Sequence, residues 1–384
     1  MHEREARMAL CCAVEPGSRD LAALVERHGA EAVWRSLLTP TSPSRWTARA
    51  HRLDLADVRR ATERYRLRFV IPGDDEWPIA LGDLAGCEPV QDLGGAPFGL
   101  WLKGQVGLSD AVQRAVSIVG ARACTAYGQT VTTDLAAGLG GHGITTVSGG
   151  AYGIDAAAHT GALAADATTV AVMAGGLDKP YPSGNSALLQ RVANHGLLVS
   201  ELPPCEHPTR VRFLSRNRLI AALTPATILV EAALRSGARN TVSWASACQR
   251  VVMAVPGPVY SAASATPHRL IREAEAVLCT GVEDVLELVG PLGRRPAHRP
   301  SQHRTLDDLS PDELAVFEAL PARGLVASGE VSLRAGVPLG SCLGVLDRLA
   351  GRGLVTQGAN GWRLTQPPPG DEGGDNGGDQ RRLG

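Results

Sequence analysis

Residues 143–163 read GITTVSGGAYGIDAAAHTGAL, and this stretch decides the fold. Thr145–Ser148 is a short run rich in β-branched residues, the mark of a buried strand. Gly149, Gly150 and Gly153 allow a sharp turn. Ile154–Ala164 continues at helical spacing. Strand, glycine turn and helix in that order make one β–α unit of a parallel sheet. Backbone N–H groups at the start of such a helix attract anions. The spacing is not GxGxxG and carries no P-loop lysine, so it is neither a dinucleotide fingerprint nor a Walker motif. Asp155 would repel a phosphate, and fits better as a cap or as an acceptor for a sugar hydroxyl or base amino group. His159 lies four residues on, on the same helix face. It reads as a packed or hydrogen-bonded histidine, because no third ligand is evident for a metal.

The same unit recurs outward. Further strands are expected at Ser117–Gly120, Thr169–Met173, Leu197–Ser200, Thr227–Val230, Val251–Val255 and Ala276–Cys279. Helices are expected at Tyr127–Gly140, Gly184–Asn194, Arg216–Leu223, Thr241–Cys248 and Pro267–Ala274. The expected fold is therefore α/β, an extended Rossmann-like parallel sheet over 114–290, with ligands at the carboxyl edge of the strands. Residues 1–68 read as a helical, SAM-like module with helices at Glu3–Val14, Ser18–His28, Ala30–Leu38 and Leu55–Tyr65. Residues 69–113 show little regular pattern and are expected to connect. A Pro- and Arg-rich linker spans 291–305. Residues 306–366 suggest three helices and a terminal hairpin, the winged-helix order, and 367–384 a disordered tail rich in Gly, Asp and Pro.

Bulk properties exclude several classes. The net charge is −1, so any footprint for nucleic acid must be local. Aromatics are only 4%, which leaves few platforms for stacked bases. Eight cysteines without a CxxC or Cys/His ladder read as reduced thiols, not as a disulfide framework or a metal site. No signal-like N-terminus and no membrane-length apolar run is visible, so a cytoplasmic protein with no membrane partner is expected.

Four other motifs carry possible chemistry. Ser117–Arg122 ends a strand at Gly120 and sends Arg122 out of the turn, where its planar fork suits a phosphate; a tight turn with a solvated Arg fits equally. Gly175–Pro182 offers Lys179 to a phosphate and Tyr181 for stacking or packing. Arg210, Arg212, Arg216 and Arg218 fall within nine residues, with Ser215 placed to cap the following helix and Asn217 between the last two. That run can track a phosphate backbone, although Phe213 and the following LIAAL bury one side and turn some of these arginines to structural salt bridges. Ser236–Thr241 is another small-residue turn opening a helix. A long anionic ligand explains these turns together better than a small metabolite does.

SIVGAR (117–122), the 143–163 stretch, AVMAGGLDKPYPSGN (171–185), LLVSELPP (197–204), FLSRNRLIAAL (213–223) and AVPGPV (254–259), in this order, resemble the DNA-processing protein A family, DprA or Smf. The resemblance runs from about Ser117 to Val285. It implies a Rossmann-like fold that binds single-stranded DNA without catalysis or cofactor, a homodimer, and loading of the RecA recombinase in DNA processing, recombination and natural transformation. It also implies Arg122 as the leading DNA contact. Gly120, Ser148, Gly149, Asp155, Lys179, Arg216, Asn217 and Arg218 are further DNA-binding candidates. The chain departs from the family pattern at Gly150, at SGARNTV (236–242) and at TPHRLIREAEAVL (266–278), where Arg239 and Arg269 supply extra charge. Two rival readings are a nucleoside monophosphate glycosidase-type enzyme, which would use Glu201 or Glu231 as acid or base, and a duplex-DNA regulator acting through Gly340–Gly351. The first lacks a PGGxGTxxE signature. The second has only Arg348 and Arg352 as helix cations.

Overall fold

The computed structural model describes residues 1–39, 45–234, 236–290 and 308–365. The expected linker 291–305 and tail 367–384 lie outside them. The chain divides into two compact units, 1–296 and 297–384.

The first unit opens with five helices, α1 Glu3–Ala13, α2 Arg19–His28, α3 Ala30–Leu38, α4 Arg45–Arg52 and α5 Leu55–Arg64. Strands β1 Arg68–Val70 and β2 Leu100–Gly104 follow, then the short helix α6 Leu108–Val112. The alternating part is β3 Ala115–Gly120, α7 Ala126–Gly141, β4 Thr145–Ser148, α8 Ile154–Ala164, β5 Thr169–Met173, α9 Ser186–His195, β6 Leu197–Ser200, α10 Arg210–Ala222, β7 Ala226–Val230, α11 Ala238–Ala247, β8 Val251–Ala254, α12 Ala265–Arg272, β9 Val277–Leu278 and α13 Val282–Val289.

One sheet holds nine strands in the order β1-β2-β6-β5-β4-β3-β7-β8-β9. From β6 to β9 every pairing is parallel, whereas β2 runs antiparallel to β6 and β1 antiparallel to β2. The segment 69–113, expected to be a connector, thus supplies one whole strand and most of another. Its apolar residues sit in a short antiparallel pair, too brief to show a clear period in the sequence.

The chain adds β4, β5 and β6 to one side of β3, then returns through α10 to place β7 on the other side. That reversal makes a switch point at the carboxyl ends of β3 and β7, where open α/β sheets bind ligands. Alternate strand residues face opposite layers, as a pleat requires. Val170 and Val172 pack with Leu219, Ile220 and Trp244 under α10 and α11. Ala171 and Met173 pack with Leu10, Trp34 and Leu189 under α1, α3 and α9. The N-terminal helices therefore share a core with the sheet and do not form a separate module. Trp101 of β2, fully buried, donates from Nε1 to Thr62 Oγ1 at 3.1 Å and so locks α5 to the sheet.

The second unit has α14 Pro311–Glu318, α15 Ser328–Ala335, α16 Leu339–Gly351 and the hairpin β10 Val355–Gly358 and β11 Gly361–Leu364. Val316, Val331, Leu346 and Trp362 form its own core. Ser310 and Glu313 make a capping box at α14, and Arg348 of α16 donates to Glu313 Oε1 at 3.0 Å.

Candidate nucleic-acid interface

Each turn leaving a parallel strand opens on the carboxyl edge, and the edge is organised around the turn after β3. Gly120 ends β3, and a Cβ there would overlap Val230 O and the Ile154 side chain. This glycine allows β3, β7 and α8 to approach one another, so its role is packing and not contact with a phosphate. Gly153 adopts φ +74°, and a Cβ on it would overlap the carbonyls of Ala121 and Arg122. The two glycine turns are thus pressed together, and Arg122 is left exposed above them. Its Cζ lies 4.8 Å from the Phe213 ring centroid, within cation–π range. Tyr181, half exposed, places its ring 5.9 Å from that of Phe213 at 53°. Lys179 is exposed two residues before Tyr181. Arg210, at the start of α10, and Arg239, at the start of α11, are exposed on two further turns of the same edge. Among the described residues, neither Arg122 nor Lys179 is paired with a carboxylate. Few as the aromatics are, three of them, Tyr152, Tyr181 and Phe213, lie at this edge.

At two helix starts, those of α7 and α8, the backbone N–H cradle is already occupied. At α7, Glu231 accepts from Thr125 N at 2.8 Å and from Thr125 Oγ1, and a Cβ on Gly128 would overlap its carboxylate. At α8, Asp155 is buried and accepts from Ala151 N at 3.3 Å. Burial pushes the Asp155 pKa up, against the opposing pull of Arg216 and of the backbone N–H groups. Protein carboxylates hold these two positions, so anion binding beside the β3 and β4 turns falls to exposed side chains.

Arg216 forms the layer beneath. It is buried, donates from Nη1 to Val172 O at 2.7 Å, and stands 5.9 Å from the Phe213 centroid. Its guanidinium lies where a Cβ on Gly149 would be, which explains that glycine. Burial lowers the Arg216 pKa to about 10, which leaves it charged at neutral pH. His159 is fully buried, with Nδ1 2.8 Å from Thr169 Oγ1. Because Thr169 Oγ1 itself donates to Thr146 O, the histidine Nδ1–H is the donor. Burial and the Arg216 charge bring the His159 pKa down to about 3, so the ring is neutral.

The remaining candidates are structural. Ser148 is buried and donates to Ile118 O at 2.6 Å, joining β4 to β3. Asn217 is buried and donates from Nδ2 to Asn240 Oδ1 at 3.1 Å. Arg218 is 1% exposed and fully engaged: Nη1 and Nη2 hold Glu201 at 2.6 and 2.7 Å, Nε donates to Gly95 O, and Nη1 also to Ser215 O. It has nothing left for a phosphate. Arg212 is likewise held by Glu15, Glu206 and the His207 carbonyl. Helix α10 starts at Arg210, capped by Thr209, six residues before the start expected from a Ser215 cap; Ser215 is buried inside the helix. Arg269 pairs with Glu273 on its own helix and so adds no free charge. Glu201 and Glu231, the carboxylates of the enzyme reading, are both spent in the fold. Asn185 was not singled out in the sequence. Its Nδ2 donates to Gly150 O and Ala151 O at 3.1 and 3.0 Å and fixes the glycine turn; its place beside the Lys179 turn in the 171–185 motif was the available signal.

The fold and this edge define a doubly wound, Rossmann-like α/β protein whose ligand edge is cationic and aromatic and carries no free acid–base pair among the residues above. Residues 68–290 match the model of the family described as DNA recombination-mediator protein A, and the chain belongs to that family. It is 48% identical over 299 residues to a Mycobacterium tuberculosis (strain H37Rv) protein carrying the DprA name, covering 77% of each chain. It is 38% identical over 205 residues to the DNA processing protein DprA of Streptococcus pneumoniae, covering 53% of this chain and 71% of that one. The X-ray structure of Streptococcus pneumoniae DprA matches with a TM-score of 0.63 at 30% identity, over 75% of this chain and 98% of that chain. No helix among the described residues is long and apolar enough to cross a membrane.

Proposed function

We propose that the protein binds single-stranded DNA along the carboxyl edge of its sheet, with Arg122 and Lys179 on phosphates and Tyr181 and Phe213 beside the bases. The observation that carries this reading is Arg122, exposed, stacked on Phe213 and free of any carboxylate partner among the described residues. A planar guanidinium held over a ring is pre-oriented for bidentate contact with a phosphate. Aromatic rings beside it favour unstacked bases, which a duplex does not offer. Contacts to backbone and ring faces carry little base identity, so binding is largely sequence-tolerant. On this reading Arg216, Asp155 and Gly149 shape the floor of the edge and touch no DNA.

By the family resemblance the protein acts as a homodimer that delivers the bound strand to RecA, is non-catalytic and works in the cytoplasm. The second unit serves as a winged-helix module. Pairing of Arg348 with Glu313 leaves its third helix poor in free cations and supports a regulatory or protein-contact role over groove reading.

Fluorescence anisotropy with labelled oligo-dT, competed by duplex across a salt series, tests the proposal. Wild type is expected to prefer the single strand. Arg122→Ala is expected to weaken binding about tenfold and to flatten the log–log salt dependence by roughly 0.7, the share of one phosphate contact on a single strand. Equal affinity in the two proteins would sink the assignment of Arg122.

A further inference from the structure

Two cysteines far apart in sequence come together at the end of α11 remote from the carboxyl edge. Cys87 follows the turn Ile79–Ala85 between β1 and β2, and Cys248 directly follows α11. Cys87 packs on the same apolar cluster that holds Cys248, and the two thiols lie within each other's electrostatic reach. Cys87 Sγ donates to Asp83 O at 3.2 Å. Two bonds tie the same segments together. Arg250 Nη2 donates to Asp83 Oδ2 at 2.5 Å, and Asn240 Nδ2, at the other end of α11, donates to Gln91 Oε1 at 3.3 Å. The segment 83–91 therefore touches both ends of α11. Cys248 is buried in the core beneath α11, and Cys87 packs on that core while half exposed.

We propose that Cys87 and Cys248 are a redox-modification site, a reversible disulfide staple between the segment 83–91 and α11 formed when a peroxide reaches Cys87. The Cys87 thiolate attacks one peroxide oxygen, the O–O bond breaks, and water and a Cys87 sulfenic acid result. The Cys248 sulfur then attacks the sulfenic sulfur, the S–OH bond breaks, and the Cys248 proton leaves with the hydroxyl as a second water. Two thiols lose two electrons and one peroxide gains them. Exposure sets the order of the steps. Burial and the neighbouring Cys87 push the Cys248 thiol up to about 12, so it stays protonated and waits for the activated partner. Through Asn240 and Gln91 the staple holds the start of α11, which carries Arg239.

The test is peroxide treatment of the full chain, alkylation of remaining thiols under denaturing conditions, tryptic digestion without reductant and mass spectrometry. Residues 69–103 and 240–250 are tryptic peptides with one cysteine each, Cys87 and Cys248. The expected product joins them, two hydrogens lighter than their sum. It disappears with dithiothreitol and is absent from Cys87→Ser, a change at a half-exposed site. In Cys248→Ala, Cys87 is expected to stop at sulfenic acid and be captured by dimedone. Recovery of both peptides alkylated and unlinked while exposed Cys205 is oxidised overturns the proposal, as does Cys87 driven to sulfinic acid with Cys248 still alkylatable in the wild type.

Discussion

The turn after β3 leaves Arg122 exposed against Phe213, whereas α10, which starts at the same sheet edge, consumes Arg212 on Glu15 and Glu206 and Arg218 on Glu201. In the sequence the α10 run looks the stronger footprint, with four arginines in nine residues. The surroundings decide otherwise. Helix α10 lies between the sheet, α11 and the segment carrying Gly95, so most of its side chains lose water. A buried guanidinium without an anion is costly, and Arg212 and Arg218 therefore recruit carboxylates from elsewhere in the chain. Among the described residues no element covers the β3 turn, and its arginine keeps its charge for a ligand.

The largest effect that would break this contrast is at Arg218. Arg218→Ala strands Glu201 in the core and is expected to cost about 3–5 kcal/mol of stability, read from urea unfolding. Affinity for oligo-dT in the folded protein should change less than about twofold, since no phosphate contact is lost. The double variant Arg218→Met with Glu201→Met should recover most of the lost stability, because the uncompensated charge is gone. A large affinity loss with normal unfolding would reverse the roles given to the β3 turn and to α10.

The buried layer can be tested by pH. His159 is neutral in the fold with a pKa near 3, against 6.5 as its ordinary value. Between those values the unfolded chain binds a proton that the fold does not, so stability is full above about pH 6.5 and falls as pH drops towards 3. By about pH 4.5 this group alone accounts for roughly 2.7 kcal/mol. His159→Gln should lose less stability than wild type between pH 7 and that point. Parallel urea curves for the two proteins would mean that His159 is protonated in the fold and that Arg216 is not its close neighbour.

The sheet was legible because buried parallel strands write continuous apolar runs. Thr145–Ser148, Thr169–Met173, Leu197–Ser200 and the helix Ile154–Ala164 fall at the bounds expected from the sequence alone. The helix Arg45–Arg52 was not, since RWTARAHR is mostly basic and polar, with only Trp46, Ala48 and Ala50 as apolar residues. The site was half legible. Glycine turns and Arg122 could be read locally, but the fate of α10 depended on Glu15, 197 residues from Arg212. The filling of the helix starts by Glu231 and Asp155 likewise depends on chain crossings that no local pattern records. Nor does the sequence show that Tyr181 and Phe213, 32 positions apart, bring their rings together.

That ring pair supplies the smallest and most discriminating effect. Phe213 touches both sides of the comparison: it is part of α10, yet its ring supports Arg122 and faces Tyr181. If the edge binds by charge alone, Phe213→Leu should leave affinity unchanged, because every cation remains. If the ring orients Arg122 and stacks with bases, affinity should fall about threefold, the roughly 0.5–1 kcal/mol of an exposed cation–π contact. The salt slope should then stay at the wild-type value, since no phosphate contact is removed. Arg122→Ala lowers both affinity and slope, whereas Phe213→Leu lowers affinity only. The two variants thus separate the electrostatic and stacking parts of one edge, and a fallen slope in Phe213→Leu would show that the ring acts only by placing the Arg122 charge.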